Sequence, residues 1–250
     1  LNIPETTCVV LYGHNTSNID IPSGYQYCVA NNVRYTAEGI ALSLQSSWGD
    51  CELRLSLLAE FNVANVLAAI CTQFCLGKSL KQITYIVQKL KPVAGRMELY
   101  KRQGYATIVV DYAHTPDALD KALLASKQHC HGKLICVFGC GGDRDVGKRS
   151  LMGEIAERLS DLVILTDDNV RSENPQDIIN DILSGCINPE RVLIEHDRKA
   201  AIKAAAAMAS SGDMILVAGK GHENYHIIGN QTLVYDELQF VALFQEGNII

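Results

Sequence analysis

An excess of positive charge is the first thing this chain lacks. Lys and Arg number 22 against 28 Asp and Glu, a formal net charge of −6, which argues against nucleic-acid binding driven by phosphate neutralisation. No apolar run approaches the roughly 20 residues a membrane helix needs, and no charged leader followed by an apolar stretch is visible. No membrane or nucleic-acid partner is therefore expected, and a cytoplasmic location is. There is no C-x-x-C pair among the nine cysteines, and no His pair follows Cys71 and Cys75 at finger spacing. Reduced, mostly buried thiols are the expected state, with no zinc site. Internal repeats, low-complexity tracts, a Ser-His-Asp or Cys-His spacing and the phosphate loop G-x-x-x-x-G-K-[ST] are all absent.

What is present is ordinary globular composition, 48% hydrophobic and 20% charged over 250 residues, enough for one large or two smaller domains. The chain opens at Leu1 in sequence already of mid-domain character, so a piece of a longer protein is expected. Residues 1 to about 58 read as short, partly antiparallel strands, with turns at Pro22-Ser23-Gly24 and Trp48-Gly49-Asp50 and with His14 in a surface loop. Helical periodicity begins at Phe61, and Asn62 and Asn65 share a face near its start, one of them as a cap. A second helix opens on the capping box Ser79-x-x-Gln82. Lys91-Pro92-Val93 breaks the pattern and places a boundary near residue 93.

Beyond it strand and helix alternate, which implies a mostly parallel sheet covered on both faces, an α/β Rossmann-like domain. Strands are expected near 106–111, 134–138, 162–166, 191–195 and 213–218. Helices are expected near 116–128, 147–158, 175–185, 198–210 and 236–245. Thr115 and Pro116 give the first helix its cap and first position. Ile227 to Leu233 read as a hairpin turning at Gly229-Asn230.

Polar loops follow three of these strands, where doubly wound sheets bind ligands. Gly139-Cys140-Gly141-Gly142-Asp143-Arg144 fails the dinucleotide fingerprint, because Arg144 stands where the third glycine belongs. It reads either as a backbone-exposing loop with a carboxylate-binding guanidinium or as a charged turn pairing its own Asp and Arg. Thr166-Asp167-Asp168-Asn169-Val170-Arg171 offers acids, an amide and a guanidinium, a set suited to an amino acid's ammonium and carboxylate, though an Asx-turn gives the same residues. Gly219-Lys220-Gly221-His222-Glu223 supplies another acid. Three such loops together favour a binding site. His114 suits a structural hydrogen bond better than proton transfer.

Asn62-x-x-Asn65, Gly95-Arg96-Met97-Glu98, Asp111 to Pro116, the Gly139–Arg149 loop, Asp168-Asn169-x-Arg171 and Gly219 to Glu223 occur in the order in which they occur in the Mur ligases. The chain resembles that family, and within it the members that add the third peptide residue to UDP-N-acetylmuramoyl-L-alanyl-D-glutamate in peptidoglycan synthesis. The resemblance implies an ATP-dependent amide-bond-forming ligase working through an acyl phosphate with Mg2+. It makes residues 1–93 the latter part of a central ATP-binding domain and 94–250 the amino-acid-delivering domain of a monomer. Carried over, Asn62 and Asn65 lie near the adenine of ATP, Arg96 faces the phosphates, and Asp111 and His114 approach the nucleotide. Arg144, Asp168, Asn169, Val170, Arg171, Gly219 and Glu223 hold the incoming amino acid. Asp-Asn-x-Arg marks meso-diaminopimelate rather than lysine, since its second carboxylate can pair with Arg171.

Three positions depart from the family: Val170 and Ser150 where proline is usual, and Ala59 where glycine is. Val170 is expected to loosen its loop. The phosphate loop, the carbamylated lysine and the UDP-sugar domain are not in this sequence, so the polypeptide alone is expected to be inactive. A non-catalytic amino-acid-binding module and a lysine-adding ligase are the alternatives, with a dehydrogenase-like nucleotide domain behind them.

Overall fold

The computed structural model describes residues 7–14 and 21–247; the polar run after His14 lies outside them. The chain divides into two compact units, Leu1–Lys91 and Pro92–Ile250.

The N-terminal unit is a four-stranded sheet, β1 (Val10–His14), β2 (Gln26–Thr36), β3 (Gly39–Ser46) and β4 (Cys51–Leu55), followed by α1 (Phe61–Cys75) and α2 (Leu80–Val87). The pairing of β1 with β2 is parallel and the other two are antiparallel. Period-two alternation turns Ile40, Leu42 and Leu44 of β3 and Leu53 and Leu55 of β4 inward. They meet Val63, Val66, Leu67, Ile70 and Phe74, the apolar stripe of α1. Trp48 stacks on Phe74 at 4.2 Å.

Three expectations change here. β2 is long, at 11 residues. His14 ends β1 instead of lying in a loop, with Nε2 3.8 Å from Glu60 Oε1. Neither asparagine caps α1: the cap position is Glu60, without a side-chain bond. Asn62 Nδ2 instead donates back to Leu58 O at 2.6 Å, and Asn65 Nδ2 to Asn62 Oδ1 at 3.2 Å. Ala59, just before, holds φ 71°, the left-handed backbone that explains why glycine suits that position. The capping box of α2 forms as the spacing predicts.

The C-terminal unit runs β5 (Glu98–Tyr100), β6 (Thr107–Asp111), α3 (Pro116–His129), β7 (Leu134–Phe138), α4 (Gly147–Leu159), β8 (Leu162–Leu165), α5 (Pro175–Leu183), β9 (Leu193–Ile194), α6 (Arg198–Met208), β10 (Met214–Ala218), the hairpin β11 (Tyr225–Ile228) and β12 (Gln231–Val234), and α7 (Glu237–Glu246). Its main sheet has the order β5-β6-β10-β7-β8-β9, parallel except for β5. Every residue of β7 and β10 is buried, and each fully buried Val, Leu, Ile or Phe is worth about 1.5–3 kcal/mol. That is possible only with both faces covered.

α3, α4 and α5 pack in series. α6 and α7 send Ala201, Ile202, Ala205, Phe240 and Val241 onto the opposite face, against Ile108, Ile135, Val137, Ile215 and Val217. The chain leaves β6 through α3, skips one place to β7, and fills the gap only when α6 leads back to β10. The carboxyl ends of β6, β10, β7 and β8 thus lie side by side at a switch in strand order.

Candidate functional site

One cavity of about 500 Å³ opens across those four strand ends. Arg144, Asp145 and Lys148 reach it from the segment after β7, Asp168, Asn169 and Arg171 from the loop after β8, and Gly219, Glu223 and Tyr225 from the segment after β10, while Tyr112 and His114 come from the turn after β6. Cations and anions therefore face one space.

The loops after β7 and β8 are sewn together. Gly142 N donates to Asn169 O at 2.9 Å, Arg171 Nη1 to Gly142 O at 2.8 Å, and Ser172 Oγ to Asp143 Oδ1 at 2.7 Å. A Cβ on Gly139 would lie 2.0 Å from Thr166 O, and one on Gly142 1.9 Å from Val170 O. These glycines serve the close approach of two backbones. Asp143 and Arg171 both hold φ 51°, non-glycine strain of the kind that gathers at functional sites. No ion pair between the Asp and Arg side chains of the turn itself forms among the described residues. Arg149, in α4 and 1% exposed, binds Glu173 and Asp181, whereas among the described residues Arg144 bonds only Asp143 O, at 3.0 Å.

Arg171 is anchored on one edge. Nη1 bonds Gly142 O and Asn169 O, and among the described residues nothing binds Nε or Nη2. Its backbone is fixed too: Arg171 N donates to Ile227 O at 3.1 Å and Gly229 N to Arg171 O at 2.7 Å. The loop that Val170 was expected to loosen is clamped by the hairpin. Val170 itself is buried, 4% exposed, and lines a second cavity on the other side of the loop instead of the first.

Asn169 joins the groups behind the cavity. Its Nδ2 donates to Glu223 Oε2 at 2.9 Å, and its Oδ1 accepts from Lys220 Nζ at 3.0 Å and Ile227 N at 2.9 Å. Tyr112 OH donates to Glu223 Oε1 at 3.3 Å. Burial is the largest influence on Asp168 and pushes its carboxyl up, yet Lys220, Arg198 and the Asn169 N–H hold it below the usual carboxylate range. Gly219, at φ 117°, leaves room for it: a Cβ there would sit 2.9 Å from Asp168 Oδ2.

Of the residues expected near nucleotide, His114 reaches the cavity. Its Nδ1 donates to Tyr112 O at 2.8 Å, so the structural bond is made, and among the described residues nothing binds Nε2. Arg96 does not line the cavity, and its guanidinium lies 4.7 Å from the centre of the Tyr112 ring. Asp111 is buried, and both oxygens are taken by backbone, from Met97 N and Ala113 N at 2.8 Å each; burial raises its carboxyl. Asn62 and Asn65 belong to the N-terminal unit. Lys220, Tyr112, Tyr225, Lys148 and Asp145 were not singled out as site residues. Tyr112, Asp145 and Lys148 stand among the polar residues that follow β6 and β7, and Lys220 stands between two glycines after an apolar strand; Tyr225, inside the hairpin, carries no such signal.

His226, stacked on Tyr235 at 4.4 Å, lines the second cavity. Burial first, then the charges of Lys220 and Arg198, lower its pKa to about 4. Unfolded, it binds its proton near pH 6.5, so between about pH 6.5 and 4 the unfolded state holds more protons. Stability therefore falls as pH drops through that window and levels off below it. His226→Phe, which keeps the stack, is expected to flatten this slope in urea midpoints taken from pH 7 to 4. An unchanged slope would assign it to other groups.

A family model described as the Mur ligase glutamate ligase domain matches residues 95–221. The chain is 50% identical over 216 residues to the UDP-N-acetylmuramoyl-L-alanyl-D-glutamate–2,6-diaminopimelate ligase of Vibrio cholerae, covering 86% of this chain and 44% of that protein. A solved structure of a ligase of the same name superposes with TM-score 0.72 at 38% identity, over 92% of this chain and 47% of the other. The folylpolyglutamate synthase of Thermotoga maritima shares the fold, with TM-score 0.60 at 17% identity, over 78% and 43%. The chain spans less than half the length of these relatives. With this α/β sheet and its motifs in their order, the chain belongs to the Mur ligases.

Proposed function

We propose that this chain is the amino-acid-delivering part of an ATP-dependent ligase that joins meso-diaminopimelate to UDP-N-acetylmuramoyl-L-alanyl-D-glutamate in peptidoglycan synthesis. One observation carries the reading: guanidinium and carboxylate groups from three neighbouring strand ends, those of β7, β8 and β10, share one cavity. Meso-diaminopimelate carries two ammonium and two carboxylate groups. Arg144 and the free edge of Arg171 take carboxylates, while Glu223 and Asp168 take an ammonium. Asn169 and Gly219 shape the site around Asp168 and Glu223, and Val170 acts from behind. Once its ammonium has given up a proton to solvent, the amino group so held attacks the acyl phosphate of the nucleotide-linked peptide; the C–N bond forms as the carbonyl C–O bond to phosphate breaks, and inorganic phosphate leaves with the second amine proton.

Residues 1–93 are then the latter part of the central ATP-binding domain, with Asn62 and Asn65 toward adenine, and 94–250 the delivering domain, with Arg96, Asp111 and His114 toward the nucleotide. ATP with Mg2+ is the proposed energy source, in a cytoplasmic monomer. Among the described residues no cluster of three His, Cys, Asp or Glu side chains is set to hold a metal.

Calorimetric titration of the chain with meso-diaminopimelate and with L-lysine tests the reading. Heat of binding from the first and at least tenfold weaker binding of the second is the expected result. Equal affinities, or none for either, would refute it.

A further inference from the structure

Lys220 does not line the main cavity, yet its ammonium sits directly behind it. The residue is wholly buried, with Nζ 3.0 Å from Asn169 Oδ1, 2.9 Å from Tyr225 O, 3.6 Å from Asp168 Oδ1 and 4.0 Å from Glu223 Oε2. A buried ion of this kind is costly, and an apolar side chain of similar volume often stabilises a fold as well or better. Its presence therefore asks for a reason beyond packing.

The geometry supplies one. Two donors, Lys220 Nζ and Ile227 N, converge on Asn169 Oδ1, and that decides which way the amide faces. Asn169 Nδ2 must then point at Glu223, where it donates at 2.9 Å. Asp168 and Glu223 both border the cavity, and a single cation lies within 4.0 Å of both carboxylates. Lys220 is that cation, reached from the protein side so that the cavity side of both acids stays open.

We propose that Lys220 is a positioning residue of this site, fixing the Asn169 amide and through it the Glu223 carboxylate in the orientation that receives an incoming ammonium group. The proposal rests on the reading that the cavity takes an amino acid. Lys220 touches no substrate in this arrangement; it acts through Asn169 and through the charge it sets beside Asp168 and Glu223.

Lys220→Met keeps the length and removes the charge. Two readouts apply to the whole chain: calorimetric affinity for meso-diaminopimelate, and the side-chain amide signals of Asn169 by NMR. Affinity at least tenfold weaker, with the two Asn169 amide protons collapsing toward freely exchanging values while the remaining backbone spectrum holds, is the expected result. Affinity within twofold of the parent, or an Asn169 amide that stays ordered, would overturn it. Should the variant fail to fold, the parent chain decides: slowly exchanging Nζ protons coupled to Asn169 support the proposal and rapid exchange overturns it. No heat from the parent chain would remove the amino-acid reading itself, and with it this role. An ordered Asn169 in a variant whose parent does bind removes the positioning role alone.

Discussion

Replacing Arg198 with alanine will destabilise the C-terminal unit by about 3–5 kcal/mol and lower its melting temperature by roughly 10 °C. The Arg198 side chain and its partner Glu237 are both fully buried. Nε and Nη2 bond the Glu237 carboxylate, and Nη2 also donates to Ala218 O at 2.9 Å, the last residue of β10. Among the described residues, truncation leaves the carboxylate with Tyr235 OH, at 3.1 Å, as its remaining hydrogen-bond partner, and a buried charge that has lost its paired ion is among the most costly defects a fold can carry. It also frees a carbonyl at the strand end from which Gly219 departs. The cost belongs to the broken pair more than to the arginine. Arg198→Ala combined with Glu237→Gln should therefore lose much less than the sum of the two single variants. Scanning calorimetry is the suitable measurement, because the sole tryptophan, Trp48, lies in the N-terminal unit. A loss below about 1 kcal/mol, the scale of an exposed ion pair, would show that the pair is not carrying this corner of the fold.

Arg171→Met should weaken binding of meso-diaminopimelate tenfold to a hundredfold and leave L-lysine almost unaffected. A hydrogen bond to a charged group is worth about 1.5–3 kcal/mol, and lysine has no second carboxylate to offer the fork. Titration calorimetry of both ligands on parent and variant separates this from general damage. Equal losses for the two amino acids would mean that Arg171 holds its loop, through Gly142 O and Asn169 O, and selects nothing. Its clamped backbone argues for a side chain held in one place to discriminate, since a fork that need not be ordered on binding gives up less entropy.

Much of the C-terminal unit was legible because its signals are local. Thr115 and Pro116 start α3, Asn174 and Asp197 cap α5 and α6, and Gly229-Asn230 turns the hairpin, each through bonds or dihedrals within a few residues. The five apolar residues of β7 announced a strand covered on both faces. Boundaries slipped where local preference runs past the packing: α6 ends at Met208, not 210, and the strand near 191–195 is only the two-residue β9, preceded by a 3₁₀ turn at Pro189–Arg191. β5 went unread, because three residues on an antiparallel edge leave no period to detect.

The site divides the same way. Residue types decided by themselves that charged loops follow the parallel strands, and their order identified the family. Which charges stay in the cavity was decided only by the fold. Arg144 and Arg171 reach it, while Arg149 and Arg198, equally cationic in sequence, are buried by Glu173 and Glu237. Asp111 spends both oxygens on backbone, and Lys220 lies behind Asn169. The physical reason is range: caps, turns and apolar runs are settled by neighbours in the chain, whereas the place of a charge is settled by the counter-ion it finds. Here those partners lie tens of residues away in the chain, and the tertiary fold brings them together.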